Sequence, residues 1–188
     1  MKRILLVDDE PSVLSALKRV LRMRFATEAV IETFNDPRLA LQRLADTSFD
    51  VLLSDYRMPQ MTGIDFLRQA RALQPHAVRM ILSASSDFQI IQRAVNEVEV
   101  FRYLAKPWAE DELAEQMRAA LDRSSHARDE RQLADAMRVQ RGTLNPIENE
   151  KRRLEEQEPG ITHVEWGPNG EILMPDGLLD PDTPPPRS

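Results

Sequence analysis

Cysteine is absent from the 188 residues. That single absence excludes disulfides, thiolate zinc sites, iron–sulfur clusters and cysteine nucleophiles, and it fits a reducing compartment. Histidine occurs only as His76, His126 and His163, at unrelated spacings, so no imidazole-rich metal site is encoded. Long apolar runs are missing as well. The opening MKRILLVDDE begins basic, but acidic residues end its apolar stretch after four positions. A signal-peptide core or a membrane span needs far more than that. A soluble, cytoplasmic protein with no membrane partner is the expectation.

What is present is enough for a packed core: 41% hydrophobic and 30% charged residues. The net charge of −6 is unevenly spread. Residues 1–108 carry 15 Lys+Arg against 13 Asp+Glu, residues 109–160 carry 9 against 13, and residues 161–188 carry 1 against 5. A duplex-binding module concentrates basic charge in one segment or on one face. The acidic C-terminal third therefore argues against nucleic acid as a partner.

Over the first 108 residues two periodicities alternate. Apolar runs at 4–7 (ILLV), 51–54 (VLLS), 78–82 (VRMIL) and 100–104 (VFRYL) predict buried strands, and EAVIETF at 28–34 predicts a strand nearer the sheet edge. Helical spacing marks Val13–Leu21 behind Pro11, Leu39–Leu44 behind Asn35-Asp36-Pro37, Ile64–Leu73, and Phe88–Val95 with Ser86 or Asp87 as cap. Five strands alternating with helices give an α/β fold: a doubly wound parallel sheet covered on both faces. Its ligand crevice belongs at the carboxyl ends of the strands.

Beyond Pro107 the pattern changes. Residues 109–141 contain neither Pro nor Gly and predict one long helix of roughly nine turns at ~3.6 residues each. Gly142 and Asn145-Pro146 interrupt it, and Glu148 completes a capping signal that restarts a helix ending near Pro159-Gly160. Leu133, Met137, Gln140, Leu144, Ile147, Lys151 and Leu154 alternate spacings of four and three, a heptad seam with two polar interruptions. It predicts either a homodimer through residues 125–142 or a helix folded back on its own domain. ITHVEW and EILM flank GPNG as a β-hairpin over 161–175, and the Pro- and Asp-rich residues 176–188 read as a disordered tail.

Chemistry gathers at the strand ends. ILLV runs into Asp8-Asp9, VLLS into Asp55, VRMIL into Ser83, and VFRYL into Ala105-Lys106-Pro107. Taken singly, each has an ordinary explanation as a cap or a turn residue. No structural rule demands all four together on one rim. Three neighbouring carboxylates repel unless a cation sits among them, and hard oxygen donors without His or Cys select Mg²⁺ or Mn²⁺. A carboxylate beside such an ion can attack a phosphoryl group and form an acyl phosphate, whose charge a lysine and a hydroxyl would stabilise.

The segments ILLVDDEPSVL, SDYRMPQMTGIDFL, MILSAS and FRYLAKPW resemble, in order and spacing, the receiver domain of two-component response regulators over about residues 1–122. The resemblance implies a flavodoxin-like sheet of order 2-1-3-4-5, followed here by a helical extension over 123–160. It implies Asp55 as phosphoacceptor and Asp8, Asp9 and Asp55 with the Arg57 backbone carbonyl as ligands of Mg²⁺. Lys106 and Ser83 become phosphate ligands, Ser83 and Tyr103 the switch pair, and the Lys106–Pro107 peptide cis. Arg57 and Ser85 occupy the positions that screen the attacking water. Gly63 fits the turn after the third strand, where a positive φ is expected.

That reading makes the chain a phosphorylation-controlled signalling module rather than an enzyme. Its donor is a sensor histidine kinase or phosphotransfer protein, and an unidentified output protein reads it. SDYRMP and FRYLAKPW are also similar to receivers that precede cyclic-di-GMP phosphodiesterase domains of the HD-GYP type. Residues 123–188 carry no HD pair, GYP, EAL or GGDEF motif. On this alternative the enzyme resides in a separate protein. A DNA-binding regulator is the third reading, opposed by the charge distribution.

Overall fold

A computed structural model describes residues 1–84, 98–142, 145–157, 165–166 and 172–173. The elements are β1 (Lys2–Val7), α1 (Pro11–Phe25), β2 (Ala29–Phe34), α2 (Pro37–Asp46), β3 (Val51–Asp55), α3 (Gly63–Leu73), β4 (Val78–Ala84), β5 (Arg102–Lys106), α4 (Glu110–Gln140), α5 (Pro146–Gln157), β6 (Glu165–Trp166) and β7 (Ile172–Leu173). The helix expected over Phe88–Val95, the seam residue Leu144, Ser85 and the tail lie outside the described residues.

The first five strands form one sheet in the order β2-β1-β3-β4-β5, with every neighbouring pair parallel. It is the doubly wound order expected. Alternation along β1 shows why these strands read as unbroken apolar runs: Ile4 and Leu6 join the core under α1 and α4, whereas Leu5 and Val7 join the core under α2 and α3. Both faces are dry, so both parities must be apolar. The edge strand β2 is exposed at Val30 and only partly buried from Glu32 onward, which explains its mixed pattern. The fifth strand begins two residues later than the VFRYL run. Val100 and Phe101 pack against the two cores from outside the strand, so their apolarity serves packing and not the ladder.

Helix starts follow their local chemistry. Pro11 and Pro37 stand in the first turns of α1 and α2, where a missing N–H costs no bond. Asp36 accepts from the Arg38 N–H at 2.8 Å, and Thr62 accepts from the Asp65 N–H at 3.2 Å.

At ~1.5 Å per residue the 31 residues of α4 span roughly 46 Å, about twice the height of the sheet. Only its first half is packed: Leu113, Met117, Ala120, Leu121 and Ser124 are buried. Asp50, at the amino end of β3, fastens it there. This carboxylate is 5% exposed and accepts from Arg128 Nη2 at 2.7 Å, the Arg3 N–H at 2.8 Å, Ser124 Oγ at 3.0 Å and Lys2 Nζ at 3.2 Å.

Beyond this anchor α4 projects, and the chain reverses at Gly142 with φ +70°. α5 then returns far enough for Arg152 and Arg153 to line one cavity with Arg3 and Phe49 of the sheet's lower end. Of the two readings of the heptad spacing, the fold-back one describes α5: α4 and α5 form a helical hairpin, the seam does not run on as one helix, and Leu133, Met137 and Ile147 remain exposed. A left-handed residue at position 142 ends the helix before the seam can continue. β6 and β7 pair antiparallel through Glu165–Leu173 and Trp166–Ile172.

The packed and projecting halves of α4 should respond differently to truncation. Leu121→Ala opens a cavity in a core position and is expected to cost about 2–5 kcal/mol, whereas Leu133→Ala at an exposed one should stay within about 0.5 kcal/mol. Urea denaturation of the two variants measures the contrast.

Candidate functional site

β1, β3 and β5 end on the same rim, and their registers set what meets there. Asp8 follows Val7 directly, Asp55 closes β3, and Lys106 closes β5. The carboxylates of Asp8 and Asp55 are almost fully buried, at 0% and 6% residue exposure. One cation serves both: Lys106 Nζ lies 2.7 Å from Asp8 Oδ2 and 2.5 Å from Asp55 Oδ1. The second oxygens are held by backbone donors. Asp8 Oδ1 accepts from the Glu10 N–H at 2.9 Å, and Asp55 Oδ2 accepts from the Arg57 N–H at 2.5 Å.

The electrostatics follow from burial. Desolvation raises the Asp55 pKa, Asp8's charge adds to the rise, and Lys106 and the Arg57 N–H only partly counter it. For Lys106 burial pulls downward, but its hydrogen bonds to Asp55 and Asp8 and their two charges prevail and raise it. The ammonium stays protonated and the carboxylate pair stays compensated.

Asp9 stands apart. It is half-buried, and among the described residues no hydrogen bond or ion pair holds its side chain. No group of three or more His, Cys, Asp or Glu spaced to hold a metal occurs among the described residues. Of the three expected carboxylates, Asp8 and Asp55 meet at the Lys106 ammonium, and Asp9 lies beside them without contact to it. The donor set still suits a hard divalent ion: carboxylate oxygens from two strand ends, a further acid next in sequence, and no nitrogen or sulfur.

Ser83 is 1% exposed near the end of β4, with Oγ 3.4 Å from the Ala84 carbonyl. Tyr103, half-buried on β5, directs its hydroxyl at the Ser83 and Ala84 carbonyls, 3.2 Å from each. The Lys106–Pro107 peptide is cis. The expected positive φ at Gly63 is not found; among the described glycines it occurs only at Gly142. Gly63 is needed for another reason. A Cβ there would lie 2.1 Å from the Asp55 carbonyl oxygen. The Gly63 N–H donates to the Tyr56 carbonyl at 2.8 Å, closing the loop that begins with the acid. Sequence reasoning also missed the Arg57 N–H as an Asp55 donor. A loop that folds back on its own acid was the available signal.

Comparison with known proteins bears on this rim. The model of the response regulator receiver domain matches residues 4–118. The hydrogenase transcriptional regulatory protein HoxA of Cupriavidus necator is 34% identical over 119 residues, which is 63% of this chain and 24% of that protein. The chain thus spans about a quarter of that relative's length. Among solved structures, an adenylate cyclase from Rhodopirellula baltica superposes with a TM-score of 0.66 at 31% identity, covering 71% of this chain and 97% of that one. The signal receiver domain of an HD domain-containing protein from Pseudomonas fluorescens Pf-5 gives 0.63 at 33% identity, covering 68% and 92%.

Replacement of Gly63 tests how the loop holds the acid. Gly63→Ala forces a methyl group onto backbone atoms and is expected to destabilise the chain by about 1–3 kcal/mol, with the loss read from the urea midpoint. An unchanged midpoint would show that the loop gives way freely.

Proposed function

The chain belongs to the response regulator receiver family, and on that premise we propose that Asp55 is the phosphoacceptor of a two-component signalling protein whose output runs through its helical extension. The observation that carries this is the buried Asp8–Lys106–Asp55 bridge at the carboxyl ends of the strands. A phosphoryl donor approaching Asp55 meets a carboxylate whose charge is already compensated. Its oxygen attacks phosphorus, the bond to the leaving group breaks with its electron pair leaving on that group, and an acyl phosphate remains. Lys106 then exchanges a carboxylate contact for a phosphoryl oxygen, and Ser83 Oγ donates to another.

Asp8, Asp9 and Asp55 with the Arg57 backbone carbonyl are the groups to hold Mg²⁺. Bound there, the ion neutralises charge on the transferring group. Mn²⁺ has the same preference for oxygen. The donor would be a sensor histidine kinase or a phosphotransfer protein. The chain's role is read as signalling with at most slow self-dephosphorylation; Arg57, two residues after Asp55, stands at the position that screens the attacking water.

Output is assigned to the surface around Ser83 and Tyr103 and to the exposed Leu133 and Met137 of α4. A phosphoryl group biases such a surface only by its different affinity for two states, typically ~1–3 kcal/mol of coupling. The receiver unit is taken as residues 1–122 and the helical extension as 123–160. A second copy of residues 125–142, the distal part of α4 and the turn after it, is the favoured partner for the exposed face. The runner-up is a separate enzyme of cyclic-di-GMP phosphodiesterase type, a reading supported by the likeness to a receiver from an HD domain-containing protein.

Two outcomes are expected. Incubation with acetyl phosphate and Mg²⁺ adds one acid-labile phosphoryl group by intact mass, absent in Asp55→Asn and slowed in Asp9→Ala. Full stoichiometric labelling of Asp55→Asn would place the acceptor elsewhere. Sedimentation of the full chain with beryllofluoride and Mg²⁺ should show a dimer that Leu133→Glu/Met137→Glu dissolves. A monomer in every state would assign the face to another protein.

A further inference from the structure

At the end of the sheet opposite Asp55 lies a cavity of about 800 Å³, bounded by the amino ends of the strands, the connection from α3 to β4 and the α4–α5 hairpin. Five arginines line it from three elements: Arg3 of β1, Arg128 and Arg131 of α4, and Arg152 and Arg153 of α5; Arg131 also donates through Nε to the Ala127 carbonyl at 3.0 Å. The carboxylates among its described lining residues are Asp50 and Glu155. Asp50 is already committed to Lys2, Arg128, Ser124 and the Arg3 N–H. Arg153 shares Glu150 at 2.6 Å. Among the described residues no carboxylate pairs with Arg3 or Arg152.

Like charges facing one cleft raise its potential and favour an anion. Guanidinium forks match phosphate oxygens in a bidentate way, which ammonium groups do not. The rest of the lining is different in kind. Leu73 and Pro75 line the cavity beside the arginines; Leu73 is exposed, whereas Phe49 behind them is 5% exposed and packs into the core. The volume falls within the roughly 300–1,000 Å³ of small-molecule sites. A cluster of inorganic anions would satisfy the charge and leave the Leu73–Pro75 side unused.

We propose that this cavity binds a nucleotide-class ligand, its phosphates held by the arginines of β1, α4 and α5 and its ring system laid on the Leu73–Pro75 side. The site is independent of Asp55. Because α5 contributes two of the arginines, the ligand would also tie the helical hairpin to the domain.

The test is calorimetry of the full chain in EDTA with ATP, pyrophosphate and adenosine as separate probes. ATP should bind saturably, one per chain, with pyrophosphate at least about tenfold weaker. Arg152→Glu/Arg153→Glu, on exposed positions of α5, should weaken ATP by at least about tenfold, as should Arg3→Gln. Arg38→Glu, on α2 and outside the cavity, should leave it unchanged. Absence of saturable ATP binding, equal affinity for pyrophosphate, or an affinity untouched by both cavity variants would each overturn the proposal.

Discussion

Two carboxylates are buried side by side at the ends of neighbouring strands, and a single ammonium compensates both. Removing such groups from water is costly unless partners replace the solvent. Lys106 does so for Asp8 and Asp55 at 2.7 and 2.5 Å, while the backbone N–H groups of Glu10 and Arg57 take the remaining oxygens. The arrangement constrains much around it. β1, β3 and β5 must end level, which the parallel registers deliver, and the loop after β3 must turn back tightly enough to aim an N–H at Asp55. Gly63 permits that turn because no side chain stands between it and the Asp55 carbonyl.

The same residues explain how a charged group could be exchanged there at modest cost. The two negative charges already share one cation, and burial holds the Asp55 pKa up. On the proposed function, an arriving phosphoryl group would rearrange contacts in a site already built for compensation instead of creating one. The lower end of the sheet follows a different logic. There Asp50 is one carboxylate with four donors, and its task is to hold α4 against the domain. Acid surplus at one end and basic surplus at the other give the domain two chemically opposite ends, joined by the strands and by the packed half of α4.

Much of this was legible in the residues. Apolar runs in both parities marked the buried parallel strands, and Pro11, Pro37 and Pro146 marked helix starts. The strand-end pattern of Asp8, Asp55, Ser83 and Lys106 marked the rim. What stayed hidden were facts of approach and direction. Gly63 looked like a conformational glycine and proved to be a steric one. Asp9 looked equivalent to Asp8, yet only Asp8 reaches Lys106. The heptad spacing ran on across Gly142, which the sequence already marked as a helix end, but which of the two readings of the seam holds, pairing or folding back, was decided only by the direction in which α5 returns. Charge counting along the chain also misled: residues 109–160 are net acidic, yet Arg128, Arg131, Arg152 and Arg153 reach a common cavity. Spatial clustering of charge appears only after folding.

The central claim is that the Lys106 ammonium is the hinge of charge between Asp8, Asp55 and an incoming phosphoryl group. Nitrogen-15 NMR of the lysine side chains observes it directly. The account predicts a protected Lys106 Nζ signal that shifts when beryllofluoride and Mg²⁺ are added and does not respond in Asp55→Asn. A Lys106 signal that exchanges freely with water, or that stays fixed while the wild-type chain binds beryllofluoride, would contradict it.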